Sequence, residues 1–72
     1  MSVTVDARGL SCPQPVLMAV EKMQDMGAGE ILVLVDTEAS RENVGRAAQA
    51  QGWRVRDIRS EAGDYHISLE RK

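Results

Sequence analysis

The feature that most constrains the fold is a continuous run of five aliphatic residues, Ile31 to Val35. A run this short, with no polar face, is typical of a central strand covered on both faces or nearly so. It is far below the roughly 20 apolar residues of a membrane span. A chain of 72 residues is long enough to form only one hydrophobic core, so its other elements must pack against this strand. We therefore expect a single domain over residues 1–72.

The first half of the chain predicts a strand followed by a helix. Apolar and polar residues alternate over 3–7, which indicates a strand with one buried face. Pro13 and Pro15 follow, and proline is tolerated in the first turn of a helix because its missing N–H would be unpaired there. Gly27 and Gly29 end the predicted helix. Its core-facing stripe comprises Val16, Ala19, Val20, Met23 and Met26.

A second helix is predicted between Ser40 and Gly52. Ser40 is a favourable N-cap residue, and Gly52 suits the C-terminal cap. The predicted apolar stripe is narrow and comprises Val44, Ala47 and Ala48. Gly45 lies inside this helix at a cost of about 1 kcal/mol relative to alanine. We expect a close approach of the helix backbone to the sheet at this glycine.

Two strands complete the predicted fold. The alternation over 53–58 slips by one residue near Asp57, which indicates a bulge or bend. Residues 62–64 predict a turn, and residues 65–69 alternate as a last strand. Right-handed crossovers in a β-α-β-α-β-β order place both helices on one face of a four-stranded mixed sheet. The predicted fold class is a two-layer α/β sandwich.

Composition excludes several classes of site. The sequence has one cysteine and one histidine, so neither a disulfide framework nor a cysteine-based zinc site is possible, and we predict no metal and no cofactor. A net charge of −2 argues against direct nucleic-acid binding. The first six residues lack the basic and apolar regions of a signal peptide. We expect a cytoplasmic protein without a membrane segment.

Cys12 is the candidate reactive residue. It directly precedes Pro13, at the predicted start of the first helix, where unpaired N–H groups and aligned peptide dipoles favour a thiolate. Pro13 and Pro15 restrict the backbone over the first turn and hold the sulfur in one direction. Gly9 ends the first strand, so the loop to Cys12 is short. The alternative is a buried cysteine that acts as a small apolar residue.

Other residues near Cys12 leave alternatives open. Asp6 and Arg8 either pair and shape the loop or are ordinary polar surface residues. Leu17 and Met18 fall outside the predicted stripe and are candidates for a partner-docking patch. His66 lies on the polar phase of the last strand, which argues against a Cys-His hydrolase.

The stretch Asp6-Ala7-Arg8-Gly9-Leu10-Ser11-Cys12-Pro13-Gln14-Pro15 closely resembles the signature of the TusA/SirA/YedF family of small, bacterial-type sulfur carriers. The Cys-Pro-x-Pro core is specific here because Asp-x-x-Gly-Leu-x precedes it and Val-Leu-Met follows it. The likeness covers the whole chain, including the passage over residues 29–36. Residues 40–44 and 51–53 are more similar to the YedF branch than to TusA proper.

The resemblance implies a persulfide carrier, which is sulfurtransferase-like. Cys12 would receive a sulfane sulfur from a cysteine desulfurase or another sulfurtransferase and relay it to an acceptor protein that the sequence does not identify. Relatives serve tRNA thiolation, cofactor synthesis or sulfur and selenium metabolism. Two alternatives stay open: a non-catalytic protein-binding or regulatory module that docks through the first helix, and RNA binding through the basic C-terminal strands, which include Arg54, Arg56 and Arg59.

Overall fold

The computed structural model describes residues 2–10 and 14–72. Along these residues, two helices and four strands follow one another in the predicted β-α-β-α-β-β order. The elements are β1 (Ser2–Asp6), α1 (Gln14–Met26), β2 (Gly29–Val35), α2 (Glu38–Ala50), β3 (Arg54–Glu61) and β4 (Asp64–Arg71).

The strands form one mixed sheet in the order β1-β2-β4-β3. β1 runs parallel to β2, whereas β4 runs antiparallel to both β2 and β3. The apolar run Ile31 to Val35 lies in β2, one of the two interior strands. The predicted two-layer α/β fold with a mixed sheet is therefore confirmed.

One face of the sheet builds the core together with the helices. Alternate residues of β1, β2 and β4 are buried on this face, and α1 and α2 pack against them and against each other. The buried strand residues are Val5, Ile31, Val33, Val35, Ile67 and Leu69. Successive strand residues point to opposite faces, so Leu32 and Leu34 lie on the face without helices, where they are half-buried.

Long side chains cover part of that second face. The Arg56 guanidinium on β3 lies 3.1 Å from the Glu30 carboxylate on β2. Because β4 lies between these strands, the Arg56 side chain must cross it. A shallow pocket beside this ion pair is lined by Thr4, Leu32 and Ser68 among others. The arginine stem thus shields the apolar part of β2 from water while its charged head stays exposed.

The buried stripe of α1 is centred on Pro15, Ala19 and Met23. These residues recur every four positions, which keeps them on one side of the helix. The predicted stripe included Val16, Val20 and Met26 as equal members, but these three flank it and are only partly buried. α1 ends as predicted at Gly27, whose φ of +76° and N–H bond to the Met23 carbonyl at 2.9 Å form a left-handed cap.

The predicted N-cap of α2 at Ser40 is wrong. Thr37 caps the helix: its backbone is extended, and its Oγ1 accepts the Ser40 N–H at 3.1 Å. Ser40 instead lies in the first turn and is buried, with its Oγ accepting a hydrogen bond from Thr37 Oγ1 at 2.8 Å. Both residue types cap helices well, and the burial of Ser40 decides between them.

The C-terminal hairpin contains the predicted irregularity. Val55 pairs with Leu69 and Asp57 with Ser68, so Arg56 is the extra residue of a β-bulge. The two residues between the strands, Ala62 and Gly63, have φ values of +49° and +86°. Positive φ at both positions is typical of a type I′ turn, whose twist matches that of the strands it joins.

Candidate functional site

The candidate site lies where three strands meet at one edge of the sheet. The carboxyl ends of the parallel strands β1 and β2 share this edge with the start of the antiparallel strand β4. Arg8, Gly9 and Leu10 follow β1 here, and α1 begins at Gln14. Residues 11–13 lie outside the described part of the chain, so the predicted roles of Cys12 and Pro13 stay predictions.

Arg8 joins two carboxylates at this edge. Its Nη2 and Nε donate to Asp6 at 2.8 and 2.9 Å, and its Nη1 donates to Asp64 Oδ2 at 3.3 Å. The pairing of Asp6 with Arg8 that the sequence suggested is therefore present. The Arg8 side chain, and next its backbone N–H, stabilise the Asp6 carboxylate and lower its pKa from 3.8 to about 2. The side-chain hydrogen bonds to Asp6 and, next, to Asp64 raise the pKa of Arg8.

Gly9 makes the shortest of these polar contacts. Its N–H donates to Asp36 Oδ2 at 2.7 Å, and its φ of +78° is in the left-handed region. The sequence pattern did not single out Asp36, and this contact was not predicted. A signal was available: β1 and β2 are parallel neighbours, so the residues that follow them meet at the same edge.

Pro15 anchors the first turn of α1. It is the second residue of the helix and is fully buried against the core. Proline fits this position because an N–H in the first turn has no partner within the helix. The predicted role of Pro15 in holding the Cys12 sulfur in one direction stays a prediction.

The two residues predicted to form a docking patch on α1 differ in their environment. Leu17 is 55% exposed and Leu10, in the loop, is 38% exposed. Met18 was expected to lie outside the buried stripe, which is wrong, because it is partly buried and packs against the core. Its role in docking stays a prediction. Met18 lies one position from Ala19, at the margin of the buried stripe, and lines a groove of about 670 Å³ between α1 and β1.

His66 lies away from the helical layer. On β4 it alternates with the buried Ile67 and pairs across the sheet with Leu34, which places it on the face opposite α1. It is half-buried rather than exposed, and its Nε2 lies 3.9 Å from the Glu61 carboxylate. The whole sheet therefore separates His66 from α1, which opposes a Cys-His hydrolase.

Carboxylates compensate the arginines of β3. Besides Arg56 with Glu30, the structure pairs Arg54 with Glu70 and Arg59 with Asp57, both at 3.5 Å. A surface that recognises RNA phosphates presents excess positive charge. The compensated pairs on β3 favour a solvated outer face.

Comparison with known proteins places the chain in a family. A family model described as "Sulfurtransferase TusA" matches residues 3–71. The chain belongs to the TusA family. It is 32% identical to the sulfur carrier protein TusA of Pseudomonas aeruginosa, with 94% of this chain and 87% of that protein covered. It is 28% identical to the sulfur carrier protein TusA of Allochromatium vinosum, with 93% and 90% covered.

A solved structure agrees with this family assignment. The crystal structure of a SirA-like protein from Desulfitobacterium hafniense matches with a TM-score of 0.87 at 30% identity and covers 94% of this chain and 95% of that one. The resemblance to the TusA/SirA family is confirmed, and so is the fold. The assignment to the YedF branch stays a prediction.

Two further findings concern residues 2–10 and 14–72. Within these ranges, His, Asp and Glu side chains do not gather in threes or more in an arrangement that could hold a metal ion. Neither α1 nor α2 is long and apolar enough to cross a membrane.

Proposed function

We propose that this protein is a sulfur carrier in which Cys12 accepts a sulfane sulfur from a donor protein and passes it to an acceptor protein. The observation that carries the proposal is the match of residues 3–71 to the TusA family in a sequence with one cysteine. The relatives from Pseudomonas and Allochromatium are named sulfur carrier proteins. Cys12 is the only thiol in this sequence, and hence the only group here that can hold sulfur as a persulfide.

The proposed transfer is a thiol exchange that is balanced without a redox partner. The Cys12 thiolate attacks the terminal sulfur of a persulfide on the donor cysteine. A sulfur–sulfur bond forms at Cys12, the donor's sulfur–sulfur bond breaks, and its electron pair leaves with the donor cysteine as a thiolate. In the second step an acceptor thiolate attacks the terminal sulfur on Cys12 and regenerates the Cys12 thiolate. Neither step requires a general base if the attacking sulfur is already ionised.

The first helix supports this chemistry. α1 begins at Gln14, two residues after Cys12 in the sequence, and runs for 13 residues. The first turn of such a helix has unpaired N–H groups and the positive end of the peptide dipole, which favour anions. A thiolate and a persulfide anion are both stabilised by that field. The buried Pro15 keeps the helix start fixed in the fold.

The proposed donor is a cysteine desulfurase or another sulfurtransferase, and the proposed acceptor is a thiol-bearing protein of tRNA thiolation, cofactor synthesis or sulfur and selenium metabolism. Both must reach the same end of the molecule. Leu17, exposed in the second turn of α1, and Leu10, exposed in the loop, offer apolar contact area there. We assign the first contact with either partner to this patch, defined as Leu10 and Leu17.

Intact-mass spectrometry tests the proposal directly. The protein is incubated with a cysteine desulfurase, pyridoxal phosphate and free cysteine, without reductant. We expect a gain of the mass of one sulfur atom that dithiothreitol reverses. Cys12→Ser should fold normally and gain no sulfur. Undiminished loading of Cys12→Ser, or no loading of the natural protein by several desulfurases, would overturn the proposal.

The exposure of Leu17 also favours a second candidate, a binding module in which Cys12 has no role. Pull-down with the natural protein and with Leu17→Glu and Cys12→Ser separates the two candidates. The binding module is favoured if Leu17→Glu loses the partner, Cys12→Ser retains it fully, and the natural protein never accepts sulfur. Ile58→Glu is the matched control, because Ile58 is another exposed apolar residue but lies on β3.

A further inference from the structure

The contact between Asp36 and Gly9 continues the pairing of β1 and β2 beyond the strands. The last backbone rung is the Ala7 N–H bonded to the Leu34 carbonyl at 2.8 Å. In a parallel ladder the next donor is two residues further, at Gly9, and the next acceptor is at residue 36. Here the Asp36 carboxylate takes the place of the backbone carbonyl and accepts the Gly9 N–H at 2.7 Å.

The two partners in this contact differ in how firmly they are held. Asp36 lies between β2 and Thr37, the N-cap of α2, whose carbonyl accepts the Arg41 N–H at 3.1 Å. Asp36 therefore lies directly between two hydrogen-bonded elements. Gly9 has a left-handed backbone that departs from the β1 direction, and three residues later comes Cys12. The carboxylate therefore fixes the path of the chain at the point where it leaves the sheet.

The ion pairs next to Gly9 hold the loop less firmly. Arg8, with Asp6 and Asp64, is exposed, and solvent-exposed ion pairs contribute little because water and salt screen them. A hydrogen bond from a backbone N–H to a carboxylate is short and charge-assisted. It also acts on the main chain rather than on a long side chain. Two backbone N–H groups in the described part of this loop donate to carboxylates, both in exposed positions. Arg8 donates to Asp6 at 3.2 Å, only two residues away, whereas Gly9 donates to Asp36 at 2.7 Å and so ties the loop to the end of β2.

We propose that Asp36 is a positioning residue for Cys12, acting through the Gly9 amide. The inference rests on the proposed function of Cys12. A thiolate benefits from a helix N-terminus only within about one turn of it, and transfer between two sulfurs requires a defined direction of attack. By holding Gly9, Asp36 fixes the point at which the chain leaves the sheet, three residues before Cys12.

Two variants and a control distinguish a positioning role of Asp36 from a general effect of its negative charge. Asp36→Ala removes the acceptor, and Asp36→Asn keeps an oxygen acceptor but removes the charge. Glu42→Ala removes an equal charge from an exposed position of α2. The readouts are hydrogen exchange of the Gly9 amide and the pH profile of Cys12 alkylation by iodoacetamide, neither of which requires a sulfur donor. Thermal unfolding reports whether each variant is folded.

For Asp36→Ala we expect Gly9 exchange to accelerate at least about tenfold, since the hydrogen bond that protects the amide is lost. The midpoint of the alkylation profile should rise toward the ordinary cysteine value of about 8.5. Asp36→Asn and Glu42→Ala should stay close to the natural protein. Sulfur loading, measured afterwards, should slow in Asp36→Ala alone.

Two results would overturn the inference. One is a Gly9 amide that exchanges in the natural protein as fast as a free loop amide, a measurement that requires no variant. The other is a lowered alkylation midpoint in both Asp36 variants, which would make Asp36 merely a negative charge near the thiol. If the natural protein accepts no sulfur but Asp36→Ala still raises the midpoint, the carrier proposal fails and the positioning role stands.

Discussion

Gly45→Ala should stabilise the protein. Glycine in a helix interior costs about 0.8–1.0 kcal/mol relative to alanine, mainly because the unfolded chain loses more backbone freedom. A close approach to the sheet could have required the glycine, as the sequence suggested. In the structure, however, a Cβ at residue 45 would lie 3.8 Å from Val55 Cγ2, an ordinary van der Waals distance. Nothing therefore offsets the gain, and we expect the free energy of unfolding to rise by about 1 kcal/mol.

The length of the chain sets how far this gain in stability raises the Tm. The entropy of unfolding is about 2.1 cal/mol/K per residue, or about 0.15 kcal/mol/K for 72 residues. One kcal/mol then raises the Tm by about 7 °C. Urea unfolding should show a higher midpoint with an unchanged m value, because the surface exposed on unfolding stays the same.

Gly52→Ala is the matched control. Gly52 follows the C-cap of α2 with a φ of +83°, and a Cβ there would lie 3.6 Å from the Arg71 guanidinium carbon. An alanine in the left-handed region costs about 1–2 kcal/mol, so this variant should lose stability. A lower Tm for Gly45→Ala, or an unchanged Tm for Gly52→Ala, would refute the reasoning about space and backbone conformation at these two positions.

Three further predictions concern stability and titration. The pKa of Asp6, followed by its carboxyl chemical shift, should be about 2 and should return toward 3.8 in Arg8→Ala. Because folding lowers this pKa, the stabilisation by the pair is complete above pH 3.8 and is lost as the pH falls through about 2, which acid unfolding of the two proteins would compare. Ala62→Asn should raise the free energy of unfolding in urea by about 0.5–1 kcal/mol, since asparagine tolerates the positive φ of the turn better than alanine; no gain would contradict the turn assignment. Met23→Ala should lower it by about 2–5 kcal/mol by leaving a cavity under α1, and a loss below about 1 kcal/mol would contradict its burial.

Most of the fold could be predicted because local pattern and tertiary structure agree. Glycines and prolines mark where elements begin and end, as Gly27 does for α1. The apolar alternation also predicts the bulge, because an extra residue in a strand shifts the alternation by one position, as it does near Asp57. The N-cap of α2 could not be chosen in the same way. Thr37 and Ser40 are both suitable residue types, and only the packing of Ser40 against the core separates them.

The candidate site was predictable in its motif but not in its contacts. Cys12 and its prolines form a local pattern that can be recognised from neighbouring residues alone. The contact between Gly9 and Asp36 joins residues 27 positions apart and depends on the register of two parallel strands. Met18 shows the same limit on a smaller scale. If the buried stripe turns about the helix axis by less than the angle between successive residues, Met18 moves from solvent to the margin of the core.

The bulge in β3 has a consequence for how copies of this protein behave at high concentration. β1 and β3 are the two outer strands of the sheet, so each has one side without a strand partner. Such sides can template the addition of strands from other molecules and so start aggregation. On β3 the extra Arg56 interrupts the regular spacing of hydrogen-bonding groups, and the strand also carries the exposed charged residues Arg54, Asp57 and Arg59. β1 is only five residues long. Both outer strands thus disfavour pairing with the outer strands of another copy.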